Sequence, residues 1–447
     1  MKQLLVMLSA ACFAQAQAPP ALSTLAIRDA RVVTVSGATL DKGTVVIRDG
    51  LIDAVGASAA IPPGAWIVEG EGLTVYPGLI DALSAWGLPA NLMSLPGGRG
   101  GRGGPPPPNA PGGRTQQTNS ALDRPATTSW IRSGDELLPN EQTFERARTA
   151  GFTTAAVFPM RGIFAGQGSL INLAGNVPRE MVLEPALGQY LTLNPSGTGY
   201  PASLMGTISY IRQVYLDAER YRLLKDDYAR DARGKKRPDY DRALEGVLES
   251  SRILLPASSR VEVDRMLRFA AELKQPAFLY GLEEGYRSAD LLKAANATVL
   301  LSLKWPERPR DPDPAVVESL RTLQNRDRAP SSAAELMKSG VRFAFYTGGL
   351  EQPRDIQRAV KKAIDGGLSR DDAVRALTLW PAQIYGMDGR LGSIEPGKIA
   401  NLMVTRGEIF DDNTKVEMVF IDGRQYRPPP EPAKPEPAKV KPEGGTP

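Results

Sequence analysis

Five polar side chains that could do chemistry follow predicted strands in the second half of the chain. Tyr280, Glu283 and Glu284 follow one strand, while Lys304 follows the next and Thr347 follows the last. A tyrosine with carboxylates could transfer protons, and paired carboxylates could bind Mg²⁺ or Ca²⁺. Acidic residues where a loop enters a helix also stabilise the positive end of that helix without catalysis. We favour this structural role for the adjacent Glu283 and Glu284.

The composition excludes several common types of catalytic and metal-binding site. Histidine is absent from all 447 residues, and Cys12 is the only cysteine. A His-ligated zinc site, a Ser-His-Asp triad and an imidazole proton shuttle are therefore excluded. The net charge of +4 gives no reason to expect a nucleic acid partner.

The first residues are typical of a secretory signal peptide. A lysine precedes a short apolar run, and small residues suited to cleavage follow it. We expect cleavage after Ala16, so that residues 1–16 are removed and the mature chain is secreted or periplasmic with no membrane attachment. Lipidation at Cys12 is the alternative, which Ser9 disfavours because a bulky aliphatic residue is usual there.

The remaining chain divides by its hydrophobic pattern. Short strands separated by turns, such as Asp49-Gly50 and Asp422-Gly423, occupy 24–76 and 391–427, which predicts one small β-sandwich domain built from both chain ends. Strands and helices alternate across 77–390, which has the length of an α/β (β/α)8 TIM-like barrel, although a doubly wound open sheet would alternate in the same way.

Three further segments stand apart from this pattern. Residues 94–114 form a Gly/Pro/Arg low-complexity loop, and residues 428–447 form a Pro/Glu/Lys-rich tail of polyproline type. The charged stretch 212–242 predicts a long solvated helix with one packed face, or alternatively a helix that binds a partner.

Several motifs resemble the amidohydrolase superfamily, in particular its imidazolonepropionase-like and secreted metal-dependent hydrolase branch. Residues 74–82 read TVYPGLIDA and are similar to the family's entry into the barrel. Residues 391–402 read LGSIEPGKIANL and resemble the return into the small β domain, with Asn401 where aspartate is usual. Shorter similarities lie at 150–154, 166–170 and 376–382. The resemblance implies a hydrolase that acts on carbon-nitrogen bonds with zinc or another divalent metal.

The metal ligands that the resemblance implies are missing from this chain. The family uses a His-x-His pair, a mid-barrel carboxylate or modified lysine, two later histidines and a terminal aspartate. The corresponding positions here are Leu83, Ala85, Gln189, Pro256, Tyr280 and Gly348. Because none of these residues can hold a catalytic divalent ion in the family's way, we expect no metal cofactor and no catalytic residue of the family type.

Two functional hypotheses follow from this loss. The first is a non-catalytic secreted homologue that binds a small molecule, associates with itself or pairs with an intact amidohydrolase paralogue. The second is a hydrolase of carbon-nitrogen bonds with weak or metal-independent activity, which would use a new site at the barrel mouth. Tyr280, Glu283, Glu284, Lys304 and Thr347 are the candidate ligand-contacting residues there.

Overall fold

The computed structural model describes residues 24–93, 124, 126–194, 200–309, 311, 317–412 and 414–429. The expected signal peptide at 1–16 and the low-complexity loop at 94–114 lie outside these ranges, as does the predicted tail beyond residue 429. The described chain has a mixed α/β fold. None of its helices is both long enough and apolar enough to cross a membrane.

The strands fall into three sheets. Their bounds are β1 (Thr24–Val32), β2 (Leu40–Arg48), β3 (Leu51–Gly56), β4 (Trp66–Glu69), β5 (Thr74–Pro77), β6 (Leu79–Ser84), β7 (Phe152–Val157), β8 (Phe164–Gln167), β9 (Ser169–Asn172), β10 (Val182–Glu184), β11 (Gln189–Leu191), β12 (Ile253–Ala257), β13 (Ala277–Gly281), β14 (Thr298–Ser302), β15 (Arg342–Tyr346), β16 (Leu402–Arg406), β17 (Lys415–Ile421) and β18 (Arg424–Tyr426).

The α-helices lie mainly between the strands of the middle segment. They are α1 (Glu141–Thr149), α2 (Pro178–Met181), α3 (Leu204–Arg230), α4 (Arg242–Leu248), α5 (Arg260–Leu273), α6 (Ala289–Ala294), α7 (Leu320–Arg328), α8 (Ser332–Ser339), α9 (Pro353–Asp365), α10 (Arg370–Leu377) and α11 (Leu379–Ile384). Single 3₁₀ turns cover Gly285–Arg287 and Ala329–Ser331.

Strands from both chain ends share one eight-stranded sheet, in the order β18-β17-β16-β5-β1-β2-β3 with β4 also paired to β1. The join is β5, where Val75 pairs in parallel with Val32 and in antiparallel with Val404. The predicted hairpin turns at Asp49-Gly50 and Asp422-Gly423 are confirmed. All four turn residues have positive φ, as a two-residue turn that matches the strand twist requires.

The strands of the middle segment form two sheets. One is four-stranded, in the order β10-β9-β7-β6, and the other is six-stranded, in the order β15-β14-β13-β12-β11-β8. The strands β11 to β15 are parallel to one another, and at least one α-helix lies in each of the four connections between them. The crossover helix α5 begins with a capping box in which Ser259 and Glu262 satisfy each other's backbone N–H groups.

Alternate residues of the parallel strands face two different apolar clusters. On β12, Ile253 and Leu255 pack in the larger cluster with the helices, whereas Leu254 packs in a smaller one. We call the smaller one the bridging cluster because it takes residues from both middle sheets. Its members are Ile80, Ala82, Leu83, Ala156, Phe158, Ala165, Leu170, Leu187, Tyr190, Leu254, Phe278, Leu300, Ala344, Ala382, Tyr385, Met387, Leu391 and Ile399.

Asn401 connects the eight-stranded sheet to the four-stranded sheet. Its buried amide nitrogen donates to Thr154 Oγ1 at 3.0 Å and to Asn172 Oδ1 at 2.8 Å. Its amide oxygen accepts a hydrogen bond from the backbone N–H of Asp422 at 2.8 Å. An aspartate, which is usual here in the family that the motifs resemble, could not donate both side-chain bonds.

Candidate functional site

A buried carboxylate lies at the point where the two middle sheets approach each other. Asp81, in the middle of β6, is fully buried, and Thr347 follows the last residue of β15. Thr347 Oγ1 donates to Asp81 Oδ2 at 2.7 Å, and its backbone N–H donates to Oδ1 at 3.0 Å. Both carboxylate oxygens are thus engaged by a single residue from the neighbouring sheet.

The surroundings of Asp81 disfavour its charged form. Burial raises the pKa of Asp81 to about 7, although the hydrogen bonds from Thr347 act in the opposite direction by favouring the carboxylate. A carboxyl group with this pKa can accept or release a proton near neutral pH. Because the side chain is fully buried, a ligand could reach it only after a local rearrangement.

A group of tyrosine side chains includes Tyr346, which lies near Asp81. The rings of Tyr190 and Tyr280 are stacked, with centroids 5.0 Å apart and planes at 23°. The Tyr280 hydroxyl donates to the backbone oxygen of Leu191 at 3.2 Å. Burial raises the pKa of Tyr346, and the neighbouring Tyr190 and Asp81 raise it further. These hydroxyls therefore stay protonated at neutral pH.

Several positions where the resemblance implies metal ligands carry side chains that pack in the apolar core. Leu83 is buried in the bridging cluster, and the half-buried Ala85 packs against the larger cluster. Pro256 on β12 is in register with Tyr280 on β13, so the two residues share one face of the sheet. Tyr280 packs at the edge of the bridging cluster.

Gln189 faces away from this group. It pairs with Ile253, which belongs to the larger cluster, whereas the next residue, Tyr190, belongs to the bridging cluster. Its amide is fully buried, and neither amide atom has a hydrogen-bond partner in the described part of the chain. The structure therefore brings Pro256 and Tyr280 together but places Gln189 on the opposite face of its strand.

Gly348 directly follows Thr347 and is closely confined. Its φ is +64°, and a Cβ atom there would lie 2.5 Å from Ser302 Oγ and 3.0 Å from Lys304 Cβ. An aspartate at this position would therefore require both a strained backbone and displacement of Ser302. The side chain of Lys304 is exposed.

The two adjacent glutamates have different environments. Glu284 is buried, forms an ion pair with Arg321 at 2.8 Å and accepts from the backbone N–H of Arg260, the first residue of α5. Burial opposes its ionisation, but these two hydrogen bonds together lower the pKa of Glu284. Glu283 is exposed. The contacts of Glu284 are those of a residue that stabilises structure. Glu283, Lys304 and Thr347 follow the ends of β13, β14 and β15, in that order.

The chemistry of these residues does not fit a catalytic divalent ion. Leu83, Ala85, Pro256 and Gly348 have no side-chain donor, and the Tyr280 hydroxyl already donates to a backbone oxygen. Asp81 is the fully buried carboxylate of this group, and Thr347 donates hydrogen bonds to both of its oxygens. Across the described ranges, no three His, Cys, Asp or Glu side chains are grouped so as to hold a metal ion.

Asp81 is the central residue that the sequence-based candidates omitted. It stands within the motif PGLID, at 77–81, whose other residues are apolar or glycine. A lone acidic residue in an otherwise apolar strand is the signal that could have identified it, because burial of a charge requires a partner. The acidic residue in the strand does not indicate which residue pairs with it, so Thr347 could not be predicted as the partner in this way.

Residues 324–426 match the amidohydrolase family. This segment runs from within α7 to the end of β18 and includes Thr347 and Gly348. The chain therefore contains an amidohydrolase-family domain, and the family expected from the sequence motifs is confirmed.

Individual relatives are similar over different lengths. Adenine deaminase 3 of Rhizobium meliloti (strain 1021) is 38% identical over 81 residues, which make up 18% of this chain and 13% of that protein. The matches span less than a fifth of the length of the curated relatives.

Solved structures are similar over nearly the whole chain. An amidohydrolase from Thermotoga maritima MSB8 has a TM-score of 0.72 at 24% identity, covering 90% of this chain and 100% of that chain. Phenylurea hydrolase B has a TM-score of 0.50 at 16% identity, covering 91% and 97%. At these identities the similarity shows the fold alone.

Proposed function

We propose that this chain is a non-catalytic amidohydrolase homologue that acts as a binding or partner subunit. The observation that carries the proposal is the engagement of both Asp81 oxygens by Thr347. A metal-dependent hydrolase needs free ligands that lower the pKa of a bound water and polarise the substrate carbonyl. Here the carboxylate that could contribute is already satisfied, and its neighbours pack as a core.

The proposal includes a closed β/α barrel formed by the two middle sheets. The bonds from Thr347 to Asp81 bring the end of β15 against β6, the outermost strand of the other sheet. The bridging cluster fills the space between the sheets, as layered side chains fill the interior of such barrels. The similarity to the Thermotoga maritima amidohydrolase supports the same arrangement.

The absence of histidine allows a clean test of metal binding. Protein purified without a histidine tag is incubated with excess Zn²⁺, Mn²⁺ or Co²⁺, dialysed, and analysed for bound metal and for hydrolysis of adenine, dipeptides and phenylureas. We expect less than stoichiometric metal and no turnover above the buffer rate. One equivalent of retained metal together with hydrolysis would overturn the proposal.

A second candidate function is metal-independent hydrolysis of a carbon-nitrogen bond. Two observations favour it: the local similarity to an adenine deaminase and a buried carboxyl group whose pKa is about 7. In this case Asp81 would exchange the proton that the reaction moves. Hydrolysis that persists in EDTA, disappears in Asp81→Asn and remains in Asp290→Asn would establish this function in place of the first.

Secretion is part of the same proposal and depends on residues 1–16. Expression of the full chain in a bacterial host, followed by mass measurement of the exported protein, tests it. We expect the N-terminus of the exported protein to begin at Gln17. Retention of an uncleaved chain in the cytoplasm would contradict this expectation.

A further inference from the structure

A polar cavity lies between the helices α7 and α8 and the 3₁₀ turn that follows β13. Its volume is about 340 Å³, which is at the lower end of the range for small-molecule sites. The residues that line it are Tyr286, Arg287, Gln324, Arg328, Ser331 and Glu335. None of them belongs to the group around Asp81, so the cavity is a separate feature of the molecule.

Two of the lining residues are arginines whose charge is not neutralised locally. Arg287 and Arg328 form no ion pair with any residue that the structure describes. Arg287 interacts at longer range with Glu284, but that carboxylate already pairs with Arg321 at 2.8 Å. The cavity therefore carries two positive charges that remain available to an anion.

Contacts around the cavity hold its walls in place. The Arg328 guanidinium lies over the Tyr286 ring, 5.6 Å from the ring centroid, in a cation–π contact. The backbone N–H of Tyr286 donates to Ser332 Oγ at 3.0 Å, which fixes the 3₁₀ turn against the start of α8. Ser331 Oγ donates to the backbone oxygen of Arg328 at 2.8 Å and joins α8 to α7. Walls held in this way lose less conformational freedom when a ligand binds.

The cavity also offers neutral hydrogen-bonding partners beside its charges. Glu335 pairs with Lys338 through Oε1 at 3.0 Å, while its Oε2 accepts no hydrogen bond from the described residues. The side-chain amide of Gln324 likewise has no hydrogen-bond partner within the described ranges, so it can donate to a ligand. A hydroxyl group could donate to Glu335 and accept from Gln324. A second negative charge on the ligand would instead be repelled by Glu335.

We propose that this cavity binds a small hydroxycarboxylate, which combines one negative charge with a neighbouring hydroxyl group. The planar guanidinium groups of Arg287 and Arg328 match the two oxygens of a carboxylate. The hydroxyl group of the ligand donates to Glu335 Oε2. This binding depends neither on a metal ion nor on the residues around Asp81, so it can be tested separately from the proposed function.

Ligand titrations followed by saturation-transfer NMR test the ligand class. The purified protein, in a buffer free of carboxylates and phosphate, is titrated with glycolate, glycolamide and methoxyacetate, and inorganic phosphate is added as a competitor. We expect a dissociation constant on the order of millimolar for glycolate. Glycolamide, which lacks the carboxylate, should bind about tenfold or more weakly. Methoxyacetate, which cannot donate a hydrogen bond, should bind several-fold more weakly.

Three results of these titrations would overturn the proposal. They are glycolamide binding as tightly as glycolate, no binding of glycolate, and phosphate binding more tightly than glycolate. The last result would identify the cavity as a phosphate site.

Substitutions of single arginines test the location of the site. Arg287→Gln and Arg328→Gln should each weaken glycolate binding about tenfold. Arg220→Gln is the matched control, because Arg220 is also exposed and has no ion-pair partner in the described part of the chain, but it does not line the cavity. All three variants should unfold at the wild-type temperature, since these side chains are exposed. Equal weakening in the three variants would mean that net charge alone attracts glycolate, and would refute the site.

Substitutions at Glu335 test the contact to the ligand hydroxyl. Glu335→Leu removes the acceptor, so glycolate should then bind no more tightly than methoxyacetate. Glu335→Gln keeps an acceptor oxygen and should retain the preference for glycolate. A preference that persists in Glu335→Leu would contradict the role assigned to Glu335.

Discussion

Asp81 and Thr347 are 266 positions apart, yet Thr347 donates hydrogen bonds to both oxygens of the Asp81 carboxylate. One residue lies in a strand of the four-stranded sheet, and the other follows the last strand of the six-stranded sheet. The contact therefore joins the two sheets close to Leu83 and Gly348, two of the positions where the resemblance implies metal ligands. It also makes the stability of the fold depend on the ionisation of one buried group.

We first predict that the stability of the protein decreases between about pH 4 and pH 7 through Asp81. An aspartate in an unfolded chain has a pKa of about 3.9, whereas in the folded protein burial raises the pKa of Asp81 to about 7. Between these two pKa values the folded state binds a proton on Asp81 that the unfolded state has released. This proton binding stabilises the folded state, and the stabilisation is lost as the pH rises through the folded pKa. Urea unfolding at several pH values measures the change.

The variant Asp81→Asn should remove this pH dependence, because asparagine does not titrate. Asp290→Asn is the control, since its ion pair with Arg260 lowers the pKa of Asp290 to about 2 and leaves it ionised above pH 5. That variant should keep the slope of the wild-type protein. An unchanged slope in Asp81→Asn would show that another group is responsible.

A second prediction concerns the hydroxyl group of Thr347. Thr347→Val keeps the side-chain shape but leaves Asp81 Oδ2 without its donor, which should cost about 1–3 kcal/mol of unfolding free energy at pH 8. It should also move the pH window of the first prediction upward, because the lost hydrogen bond favours the carboxylate. Thr347→Ser retains the hydroxyl and should be much closer to the wild type. Equal losses in both variants would indicate a packing effect instead.

A third prediction is that Gly348 does not tolerate a side chain. Gly348→Ala adds a Cβ atom 2.5 Å from Ser302 Oγ at a φ of +64°. Gly349 has a φ of +87° but no atom within 4 Å of such a Cβ, so Gly349→Ala is a control for backbone strain alone. We expect Gly348→Ala to be the less stable of the two by on the order of 1–3 kcal/mol. Similar melting temperatures would mean that Ser302 moves at little cost.

This steric limit also bears on restoring the family's ligands. The triple substitution Leu83→His, Ala85→His and Gly348→Asp should give at most a weak metal site, because the later ligands are missing and nothing orients the new ones. Isothermal titration with Zn²⁺ measures the affinity. Tight one-to-one binding with hydrolytic activity would show that the site had lost only its ligands.

A fourth prediction concerns Asn401, which connects two sheets. Asn401→Asp removes a donor to Thr154 and Asn172 and places a charge among buried acceptors, so it should destabilise the fold by about 1–3 kcal/mol at neutral pH. The loss should be smaller near pH 4, where the new carboxyl group is protonated. Unfolding in urea at both pH values tests it, and a stability loss that is independent of pH would contradict the charge argument.

A fifth prediction separates packing from binding at Tyr280. Tyr280→Phe keeps the stacking on Tyr190 but loses the bond to Leu191, at a cost of about 0.5–1.5 kcal/mol. Tyr280→Ala should cost about 3–5 kcal/mol if the ring mainly fills the core. If it is instead a ligand anchor, the alanine variant should lose ligand binding with little loss of stability. Thermal unfolding beside a ligand screen distinguishes the two outcomes.

Local features of the fold were predictable because they depend on neighbouring residues. The turns at Asp49-Gly50 and Asp422-Gly423 require positive φ, which aspartate and glycine tolerate. The face that Gln189 presents was not predictable in this way. A shift of one residue in strand register moves a side chain to the other face of the sheet, and the pairing with Ile253 places Gln189 away from the bridging cluster.

By itself the sequence determined the family motifs, the alternation of strands and helices, and the absence of imidazole, because each depends on residue type and short spacing. Only the tertiary structure decided that Thr347 engages Asp81, that Glu284 pairs with Arg321, and that Arg287 and Arg328 line one cavity. These relationships join residues far apart in the chain or depend on what packs against a helix. They follow from the packing of whole elements, which no local preference of the backbone specifies.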